Sequence, residues 1–594
     1  MAHFSLDIEG SDLTLGRDEM VVLRGKLDTS AGVPRITPEA GGWRIEHPGD
    51  AEAKDVFDLR TSGHWFGGQE LLNQLWPGER AMLDAAPFIT HENSPSGLSC
   101  VESPLWVASS GAAILADHDQ VLRVGLNRSI QKPSIFKRDW LPIMFAHRPA
   151  PDDGTGDGLL RLGGRGLRYR VFAADDAVRA WRACLPHIGH PQSIPPETLW
   201  RKPIWTTWAH FKMNINQKRV LRFADEIVAH HYPYGVMEID DRWQAHYGDS
   251  AFDLKRFPNP CMMVDELHSR GFAVTCWVMP FVNPDADCFD VARARGYLLK
   301  QNDGSLLPVR WWQGNGYLLD VANAEALRWF GDNLRTLQQA MGLDGYKFDA
   351  GEANFAGGQN PDLAGKAGFW NDHTHRYVEF VAANFTFCEV RSGWGNQRAP
   401  IFFRQWDKWS TWGKDNGLAS LITGMFALGL AGYPFVLPDM VGGNAYFTDR
   451  PSAELLIRWS QANALLPAIQ FSLAPWDYGE ECARLCRAAL DVRERYLDHI
   501  ATAMRQAASS GDPIIRPVWW FAPDDERAQV CDDEFLLGAD VLVAPIVRPR
   551  QRARDVYLPD GQWKDANTGQ VLSGPTVLTG VSVPLDTLPV YNRI

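Results

Sequence analysis

Long basic stretches and an apolar leader are both missing from this chain. No run of Lys or Arg exceeds two residues, and the formal net charge is −13 with a pI near 5.7. Nucleic acids and anionic membrane surfaces attract basic patches, so this charge balance argues against both as partners. The first ten residues, MAHFSLDIEG, contain early acidic side chains and no apolar stretch of a secretory signal. We therefore expect a cytoplasmic protein.

Cysteines with the spacing of a metal site or a disulfide framework are also lacking. The nine cysteines form no CxxC pair, and the nearest two, Cys482 and Cys486, lack histidine neighbours. An odd number of cysteines without a framework indicates reduced thiols, in keeping with the cytoplasm. The acidic run Asp285, Asp287 and Asp290 lacks the glycine and final glutamate of a calcium loop. We expect neither a metal nor an organic cofactor.

One uncharged apolar stretch, Leu418–Pro438, is long enough to resemble a membrane span, but it is interrupted. Three glycines and Pro434 would break a helix that crosses the bilayer. We predict instead a buried helix, a tight turn at residues 432–434 and a short buried strand at 435–437. A membrane is therefore not an expected partner.

Tryptophan, by contrast, is abundant. The chain has 24 Trp residues, which is about three times the usage of an average protein of this length. A Trp side chain combines a broad apolar face with one N–H donor, which suits both a large core and the apolar face of a sugar ring. Composition alone leaves both interpretations open for each of them.

The chain divides into three predicted domains, residues 1–195, 196–511 and 512–594. The first shows short alternating strands separated by turn residues and is predicted to be all-β. The second alternates apolar strands with helical patterns, and the third returns to short strands that form a small β-domain. Eight strands alternating with helices favour an α/β fold, the (β/α)8 TIM barrel. An open, doubly wound sheet is the alternative.

The apolar pattern also predicts the individual elements. The barrel strands are expected at Ile204–Trp208, Gly235–Ile239, Ala273–Pro280, Gly345–Phe348, Thr386–Val390, Ile401–Gln405, Phe435–Leu437 and Ala468–Phe471. Helices between them include Gln217–His230, Asn259–Arg270 and Ala324–Met341. In the outer domains, predicted strands include Val121–Val124 and Ile514–Phe521.

Carboxylates follow several of the predicted barrel strands. They occur in the segments EIDD (238–241), KFDAGE (347–352), CEVR (388–391), RQWD (404–407) and LPDM (437–440). The C-terminal ends of barrel strands meet on one face, where active sites form. An isolated buried charge costs several kcal/mol, so carboxylates at five strand ends indicate a site rather than a structural device.

Two of these carboxylates fit complementary chemical roles. Lys347, on the same side of its strand as Asp349, would keep Asp349 ionised as a nucleophile, and the small residues after Asp349 leave room for a substrate. Asp407 lies among tryptophans, and an apolar surround raises a carboxyl pKa, as a general acid needs. Asp415 is a rival acid, although its place near a helix start also suits a helix cap. One charged and one protonated carboxyl is the pattern of a retaining glycosidase.

Longer motifs strengthen this interpretation. The stretches GYKFDAGE (345–352), LAGYPFVLPDMVGG (430–443) and RWSQANALLPAIQFS (458–472) resemble glycoside hydrolase family 31, from about residue 205 to the C-terminus. KFDAGE, IDDRW and LPDMVGGN are similar to the branch that contains the myogenesis-regulating glycosidase and its bacterial relatives. The resemblance implies a β-sandwich before the barrel, a β-domain after it, and α-galactosidase rather than α-glucosidase activity.

The resemblance also implies roles for single residues. The family nucleophile falls on Asp349. The family's arginine stands sixteen positions before its acid/base, as Arg391 does before Asp407, which favours Asp407 over Asp415. Glu238 and Asp240 fall where the family binds the outer hydroxyls of the sugar. The remaining expected substrate-site residues are Lys347, Arg391 near the 2-hydroxyl, Asp439 behind the site, and Trp412, Trp208, Trp277 and Trp205 as pocket walls.

Two departures from the glucosidase pattern bear on the sugar. Ser472 stands where many family members have a histidine that binds sugar hydroxyls. KFDAGE replaces the WxDMNE nucleophile segment of glucosidases. Both changes alter the pocket and argue against a simple glucose assignment, and the Gln-Gln-Gly-Arg-Trp pattern expected for enzymes that cleave sulfonated sugars is not found.

The sequence thus predicts a retaining exo-α-glycosidase that hydrolyses a terminal α-linked hexose, above all an α-galactoside, through a covalent glycosyl-enzyme. The expected partner is an oligosaccharide or glycoside, and a homo-oligomer is compatible with the sequence. Three other hypotheses stay open. They are an α-glucosidase or α-xylosidase, a transglycosylase with the same two carboxylates, and a carbohydrate-binding protein on an inactive barrel.

Overall fold

The computed structural model describes residues 3–49, 51–85, 87–92, 97–127, 156–357, 371–447 and 449–594. Its N-terminal part contains a seven-stranded and a six-stranded antiparallel sheet. In spatial order the first consists of Phe4–Glu9, Asp12–Arg17, Met20–Lys26, Glu52–Asp58, Leu159–Arg165, Arg123–Leu126 and Leu83–Ala85. The second consists of Arg35–Glu39, Gly42–Glu46, Arg168–Ala173, Ala112–Ala116, Leu98–Ala108 and Trp65–Leu71.

A shared apolar core fills the space between these two sheets. Side chains from both sheets, among them Leu13, Phe57 and Ile114, belong to one buried cluster. Burial alternates along strands such as Glu52–Asp58, because successive side chains point to opposite faces of a sheet. The predicted all-β fold of this part is confirmed, although the strand predicted at 121–124 begins two residues later, at Arg123.

Eight parallel strands of the central part form the predicted barrel. They are β1 (Ile204–Thr206), β2 (Val236–Ile239), β3 (Ala273–Val278), β4 (Gly345–Phe348), β5 (Cys388–Val390), β6 (Phe402–Arg404), β7 (Val436–Leu437) and β8 (Gln470–Phe471). Neighbours pair in this order and β8 pairs with β1. Between β7 and β8 the backbone N–H of Val441 donates to the carbonyl of Gln470 at 2.8 Å. The TIM barrel is therefore confirmed and the open sheet is wrong.

Helices α1 to α8 surround the strands. They are α1 (Gln217–Ala229), α2 (Pro260–Ser269), α3 (Ala324–Met341), α4 (Asp372–Asn384), α5 (Leu418–Leu430), α6 (Ala453–Asn463), α7 (Glu480–Arg495) and α8 (Leu497–Ser510). Asparagine or serine side chains cap four of them by accepting a backbone N–H in the first turn: Asn216, Asn259, Asn323 and Ser452. The alternation of strands and helices is interrupted once. The glycine-rich segment 391–401, every residue of which the structure describes, connects β5 to β6 without a helix.

The uncharged apolar stretch is a buried part of this barrel. Helix α5 is almost entirely buried, a turn follows, and β7 occupies Val436–Leu437. The predicted helix, turn and strand are confirmed. Within the ranges that the structure describes, no helix is long and apolar enough to cross a membrane.

Two β-elements outside the barrel differ from the predictions. A small antiparallel sheet of Phe281–Val282, Gly314–Leu318 and Pro308–Trp311 is inserted between β3 and α3. In the C-terminal part, the strand predicted at 514–521 contains only Ile515–Arg516, because Pro517 ends it and a 3-10 turn, Val518–Trp520, follows.

The C-terminal part forms one six-stranded sheet. It contains, in spatial order, Ile515–Arg516, Phe535–Leu537, Val541–Val543, Val590–Arg593, Ala553–Asp565 and Val571–Ser582. The small β-domain is therefore confirmed, whereas the domain boundaries at residues 195 and 511 stay predictions.

Candidate active site

Asp349 lies directly after β4, at the carboxyl end of the barrel. Its Oδ2 accepts a hydrogen bond from the indole N–H of Trp277 at 2.9 Å. Its Oδ1 is 3.2 Å from Nε of Arg391 and accepts from Nη2 of Arg404 at 3.2 Å. Burial by itself raises the pKa of Asp349, but the two guanidinium groups outweigh burial and lower it. Asp349 is thus held as a carboxylate.

Asp407 lies three residues beyond the end of β6 and next to the same cation. Its Oδ1 accepts from Nη1 of Arg404 at 2.7 Å, and its Oδ2 accepts from the hydroxyl of Tyr446 at 2.5 Å. Burial raises the pKa of Asp407, but Arg404, Arg391 and Tyr446 together hold it below its usual range. The expectation that its aromatic surroundings raise its pKa is therefore wrong, because the guanidinium of Arg404 at 2.7 Å outweighs the effect of burial.

Lys347 does not pair with Asp349 as the sequence predicted. Its Nζ donates to Asp240 at 2.8 Å and to Glu238 at 3.2 Å, both on the β2 side of the barrel interior. Burial lowers the pKa of Lys347, but the two carboxylates outweigh burial and raise it, so the amine stays charged. Lys347 lies within β4 and faces the neighbouring strand, whereas Asp349 lies beyond the strand end. The sequence-predicted trio of Lys347, Glu238 and Asp240 is nevertheless brought together.

Arg391 connects the nucleophile candidate to the rim of the site. Its Nε donates to Glu352 at 2.7 Å, and its Nη1 is 3.9 Å from Glu92 of the N-terminal part. The guanidinium carbon lies 4.9 Å from the ring centre of Trp312, a cation–π contact with a side chain that is 37% exposed. Arg391 therefore lies between the buried carboxylates and the open mouth of the barrel.

Asp439 supports the acid/base candidate from behind, as predicted. Its Oδ2 accepts from the backbone N–H of Lys408 and from the Asn444 amide, both at 2.6 Å. Its Oδ1 accepts from Arg404 at 3.4 Å. Burial raises the pKa of Asp439 to about 6, with Asp407 adding to the effect. Asp439 is fully buried and fixes the backbone that follows Asp407.

The four predicted tryptophans occupy different places. Trp277 is buried and acts as a hydrogen-bond donor to Asp349 rather than as a sugar platform. Trp208 is partly buried and donates to Asn444 at 2.9 Å, near the site. Trp205 is fully buried, stacks on Phe471 and belongs to the core, so its prediction as a pocket wall is wrong. Trp412 lines a separate cavity beside the C-terminal sheet, with Lys414, Asp532 and Arg548.

The small residues after Asp349 serve packing rather than access. Gly351 has φ +91, and a Cβ there would lie 2.4 Å from the ring of Tyr377 and 2.7 Å from Oγ of Ser392. A side chain at this position would therefore displace α4 or the segment after β5. The expectation that these residues leave room for a substrate is wrong for Gly351.

The rival acid, Asp415, is exposed and pairs through its backbone with Asn73 of the N-terminal part. It does not cap α5, whose N-cap is Gly417 without a side-chain hydrogen bond. Asp415 is therefore not the cap of α5, and the choice of Asp407 over Asp415 as acid/base stays a prediction.

Sequence reasoning missed four residues of this site. They are Arg404, Glu92, Trp312 and Tyr446. A signal existed only for Arg404, because an arginine inside an apolar strand must find partners when it is buried. Glu92 and Trp312 come from the N-terminal part and from the inserted sheet, and local sequence does not show that either reaches the barrel.

One group of possible metal ligands occurs among the described residues, far along the chain from the barrel carboxylates. Cys531, Asp533 and Glu534 lie close together in the C-terminal part. Arg554 already donates to Asp533 at 2.7 Å and to Glu534 at 3.0 Å. The arginine supplies the positive charge that a cation would bring, so these residues do not fit a metal.

Comparisons with known proteins agree with the motifs. Residues 201–503 match the Glycosyl hydrolases family 31 TIM-barrel domain and residues 511–594 the Glycosyl hydrolase family 31 C-terminal domain. Residues 27–189 match the Myogenesis-regulating glycosidase N-terminal domain.

Individual relatives are similar over most of the chain. The mouse Myogenesis-regulating glycosidase is 33% identical, over 93% of this chain and 77% of its own length. The SITS-binding protein of Tetronarce californica is 25% identical, over 91% and 76%. A solved family 31 α-xylosidase from a soil metagenome shares the fold with a TM-score of 0.74 at 19% identity, over 99% of this chain and 90% of its own. The chain therefore belongs to glycoside hydrolase family 31.

Proposed function

We propose that this protein is a retaining exo-α-glycosidase with Asp349 as nucleophile and Asp407 as acid/base. The observation that carries the proposal is the single guanidinium of Arg404, which binds Asp349 at 3.2 Å and Asp407 at 2.7 Å. Two carboxyl groups on one guanidinium are close neighbours. A double displacement needs two carboxyl groups at short range, about 5–5.5 Å apart.

The proposed reaction proceeds in two balanced steps. The Asp349 carboxylate attacks the anomeric carbon, the bond to the leaving oxygen breaks, and Asp407 gives its proton to that oxygen. Asp407, now a carboxylate, then takes a proton from water, the water oxygen attacks the anomeric carbon, and the bond from that carbon to Asp349 breaks. The sugar leaves with its α configuration, and Asp349 is a carboxylate again. Because Arg404 lowers the pKa of Asp407, we propose that Asp407 takes up its proton as the substrate enters and excludes water.

We propose a terminal α-galactoside as the preferred substrate. Glu238 and Asp240, bound to Lys347 at the floor of the barrel, are proposed to bind the outer hydroxyls, and Arg391 the hydroxyl beside the reacting carbon. The KFDAGE segment and Ser472, whose Oγ accepts from the backbone N–H of His210 at 3.1 Å, support a pocket unlike that of the glucosidases.

Other sugars and acceptors remain candidates of the same class. Because the chain is structurally similar to an α-xylosidase, α-xylosides and α-glucosides are also candidate substrates. A transglycosylase would use the same two carboxylates with a sugar as acceptor. A catalytically inactive binding protein is a candidate from a different functional class. The similarity to a protein named for binding SITS supports it. We also propose a cytoplasmic location, which the nine free cysteines support.

The test of this function is turnover of a panel of nitrophenyl α-glycosides by purified protein. We expect the α-galactoside to be the best substrate and Asp349→Asn to lose at least roughly 1,000-fold in kcat, because the nucleophile is removed. Asp415→Asn, a change of the same chemistry at an exposed position, is the matched control and should keep the wild-type rate.

Three results would contradict the proposal in different ways. A clear preference for the glucoside or xyloside would overturn the sugar but keep the mechanism. Equal rates for the wild type and Asp349→Asn would remove the assigned nucleophile, and no turnover of any glycoside would favour the binding protein.

A further inference from the structure

Arg404 lies at the centre of the carboxylates of this site. Its Nη2 donates to Asp349, and its Nη1 donates to Asp407 and, at 3.4 Å, to Asp439. Its Nε is 3.4 Å from Glu389 of the adjacent strand β5. The side chain is only 2% exposed, so water cannot replace these partners. Four carboxyl groups, one within β5 and three beyond the ends of β4, β6 and β7, thus surround one cation.

The other cations of the site do not join the two reacting carboxylates. Arg391 pairs with Asp349, but its remaining contacts go to Glu352 and Glu92. Lys347 forms ion pairs with Glu238 and Asp240 instead. Among the residues that the structure describes, Arg404 is the cation with hydrogen bonds to both Asp349 and Asp407.

The chemistry of arginine suits this position. A guanidinium is planar and presents donors at fixed spacing, so it can hold two carboxylates at a set distance from each other. A lysine ammonium is a point charge on a flexible stem and cannot fix two partners in the same way. The identity of this residue, and not only its charge, therefore defines the geometry.

We propose that Arg404 is a positioning residue that holds the nucleophile and the acid/base at a fixed separation and balances one negative charge on the pair throughout the reaction. The inference rests on the function proposed above. Before the first step the charge is on Asp349 and the proton on Asp407. When Asp349 forms the ester with the anomeric carbon, its charge is consumed. Asp407 has then given its proton to the leaving oxygen and carries the charge instead.

The surrounding acids make this balance necessary. Besides Arg404 and Arg391, most of the charged and polar groups around Asp349 and Asp407 are acidic or neutral: Glu92, Glu352, Glu389, Asp439 and the hydroxyl of Tyr446. Two further cations also act on the pair, Lys347 on Asp349 and Lys212 on Asp407. Burial raises the pKa values of Glu92 and Glu389 to about 8. Without Arg404, burial would also raise the pKa values of Asp349 and Asp407. One of the two would then hold its proton at the wrong stage of the reaction.

The test uses two variants of the full chain, Arg404→Lys and Arg404→Gln. Arg404→Lys keeps the charge but loses the double contact, and we expect kcat to fall roughly 100-fold, since a misplacement of about 1 Å can cost that much. Arg404→Gln loses the charge, and the acid-side limb of the kcat/KM profile should move to higher pH because Asp349 then ionises less readily. A structural role alone would not move that limb.

A control separates this effect from the loss of any buried arginine. Arg458 is also fully buried, but its guanidinium donates to the carbonyls of Val583 and Thr587 and to no carboxylate of the site. Arg458→Lys should leave both limbs of the pH profile where the wild type has them. If Arg404→Gln does not fold, Arg404→Lys decides alone, because wild-type kcat in the folded Lys variant overturns the inference.

The inference and the proposed function fail in different ways. A wild type that turns over the galactoside and an inactive Asp349→Asn, combined with wild-type kcat and pH limbs in both Arg404 variants, would overturn the role of Arg404 alone. A wild type without glycosidase activity would overturn both.

Discussion

At the scale of single residues, Glu92 is the carboxyl whose protonation matters most beyond the two proposed catalytic aspartates. It comes from the N-terminal part and lies 3.9 Å from Arg391. Burial raises the pKa of Glu92 to about 8. Arg391 opposes this rise, and Glu352, Asp407 and Asp349 add to it. Below that pH Glu92 is a neutral hydrogen-bond donor, and above it Glu92 adds a negative charge beside the nucleophile.

We predict that Glu92 limits activity on the alkaline side. As the pH rises through about 8, the proton leaves Glu92, and its carboxylate then competes with Asp349 for the guanidinium of Arg391, which lies 3.9 Å from Glu92 and 3.2 Å from Asp349. Glu92→Gln keeps the neutral form at every pH, so its kcat/KM should stay level over the range in which that of the wild type falls. The control is Glu325→Gln, at an exposed position of α3. The same decline in the wild type and in Glu92→Gln would exclude Glu92 as its origin.

At the scale of elements, the segment that carries Glu92 is fixed to the barrel by a small hydrogen-bond network. The Thr90 N–H donates to Asn371 at 2.9 Å, and the Thr90 hydroxyl lies 2.7 Å from that of Thr374. The N–H of Ala353, four residues after Asp349, donates to the Thr90 hydroxyl at 3.0 Å. The network thus ties the segment at once to α4 and to the segment that follows β4.

Removing this network should lower both activity and stability. Thr90→Val leaves the Ala353 N–H without its partner, a cost of about 1–3 kcal/mol, whereas the Thr374 hydroxyl still donates to the Gly351 carbonyl. The freed segments would displace Glu92 and the residues after Asp349, and we expect kcat/KM to fall about tenfold or more. Thr90→Ser keeps the hydroxyl and should retain most of the activity. Wild-type kinetics in a Thr90→Val protein of reduced melting temperature would mean that the network serves stability only.

Elements that depend on local pattern were predictable from the sequence, and contacts between elements were not. Helix α3 and strand β4 have the predicted bounds, because their apolar spacing and the cap at Asn323 are local. Strand β1 ends at Thr206 instead of Trp208, because a short helix begins there. The partners of Lys347 depend on which strand lies beside β4, and an i, i+2 spacing gives no information on that.

At the scale of the whole molecule, one buried apolar cluster joins the three parts, in addition to separate clusters within the N-terminal sheets and within the C-terminal sheet. A single buried cluster contains Phe66 of the N-terminal sheets, Phe426 of the barrel and Trp519 of the C-terminal part. Trp76 lies at their junction. The centre of its ring lies 5.0 Å from that of Phe66 and 5.1 Å from that of Phe426. Its indole N–H donates to the carbonyl of Gln529 at 3.1 Å. The N-terminal part therefore completes the core as well as the active site.

Because one apolar cluster joins the three parts, we predict that the protein unfolds in one transition and that Trp76→Ala shifts the whole of it. Loss of a fully buried Trp costs about 3–5 kcal/mol, and at this junction the cost is shared by all three parts. Thermal unfolding followed by tryptophan fluorescence and by residual activity should give the same midpoint, lowered equally in the variant. Trp43→Ala, a partly buried Trp within the N-terminal sheets, is the control and should produce a smaller shift. Two separate transitions, of which Trp76→Ala shifts only the first, would show instead that the N-terminal part unfolds alone. The barrel carboxylates would then keep their arrangement without Glu92.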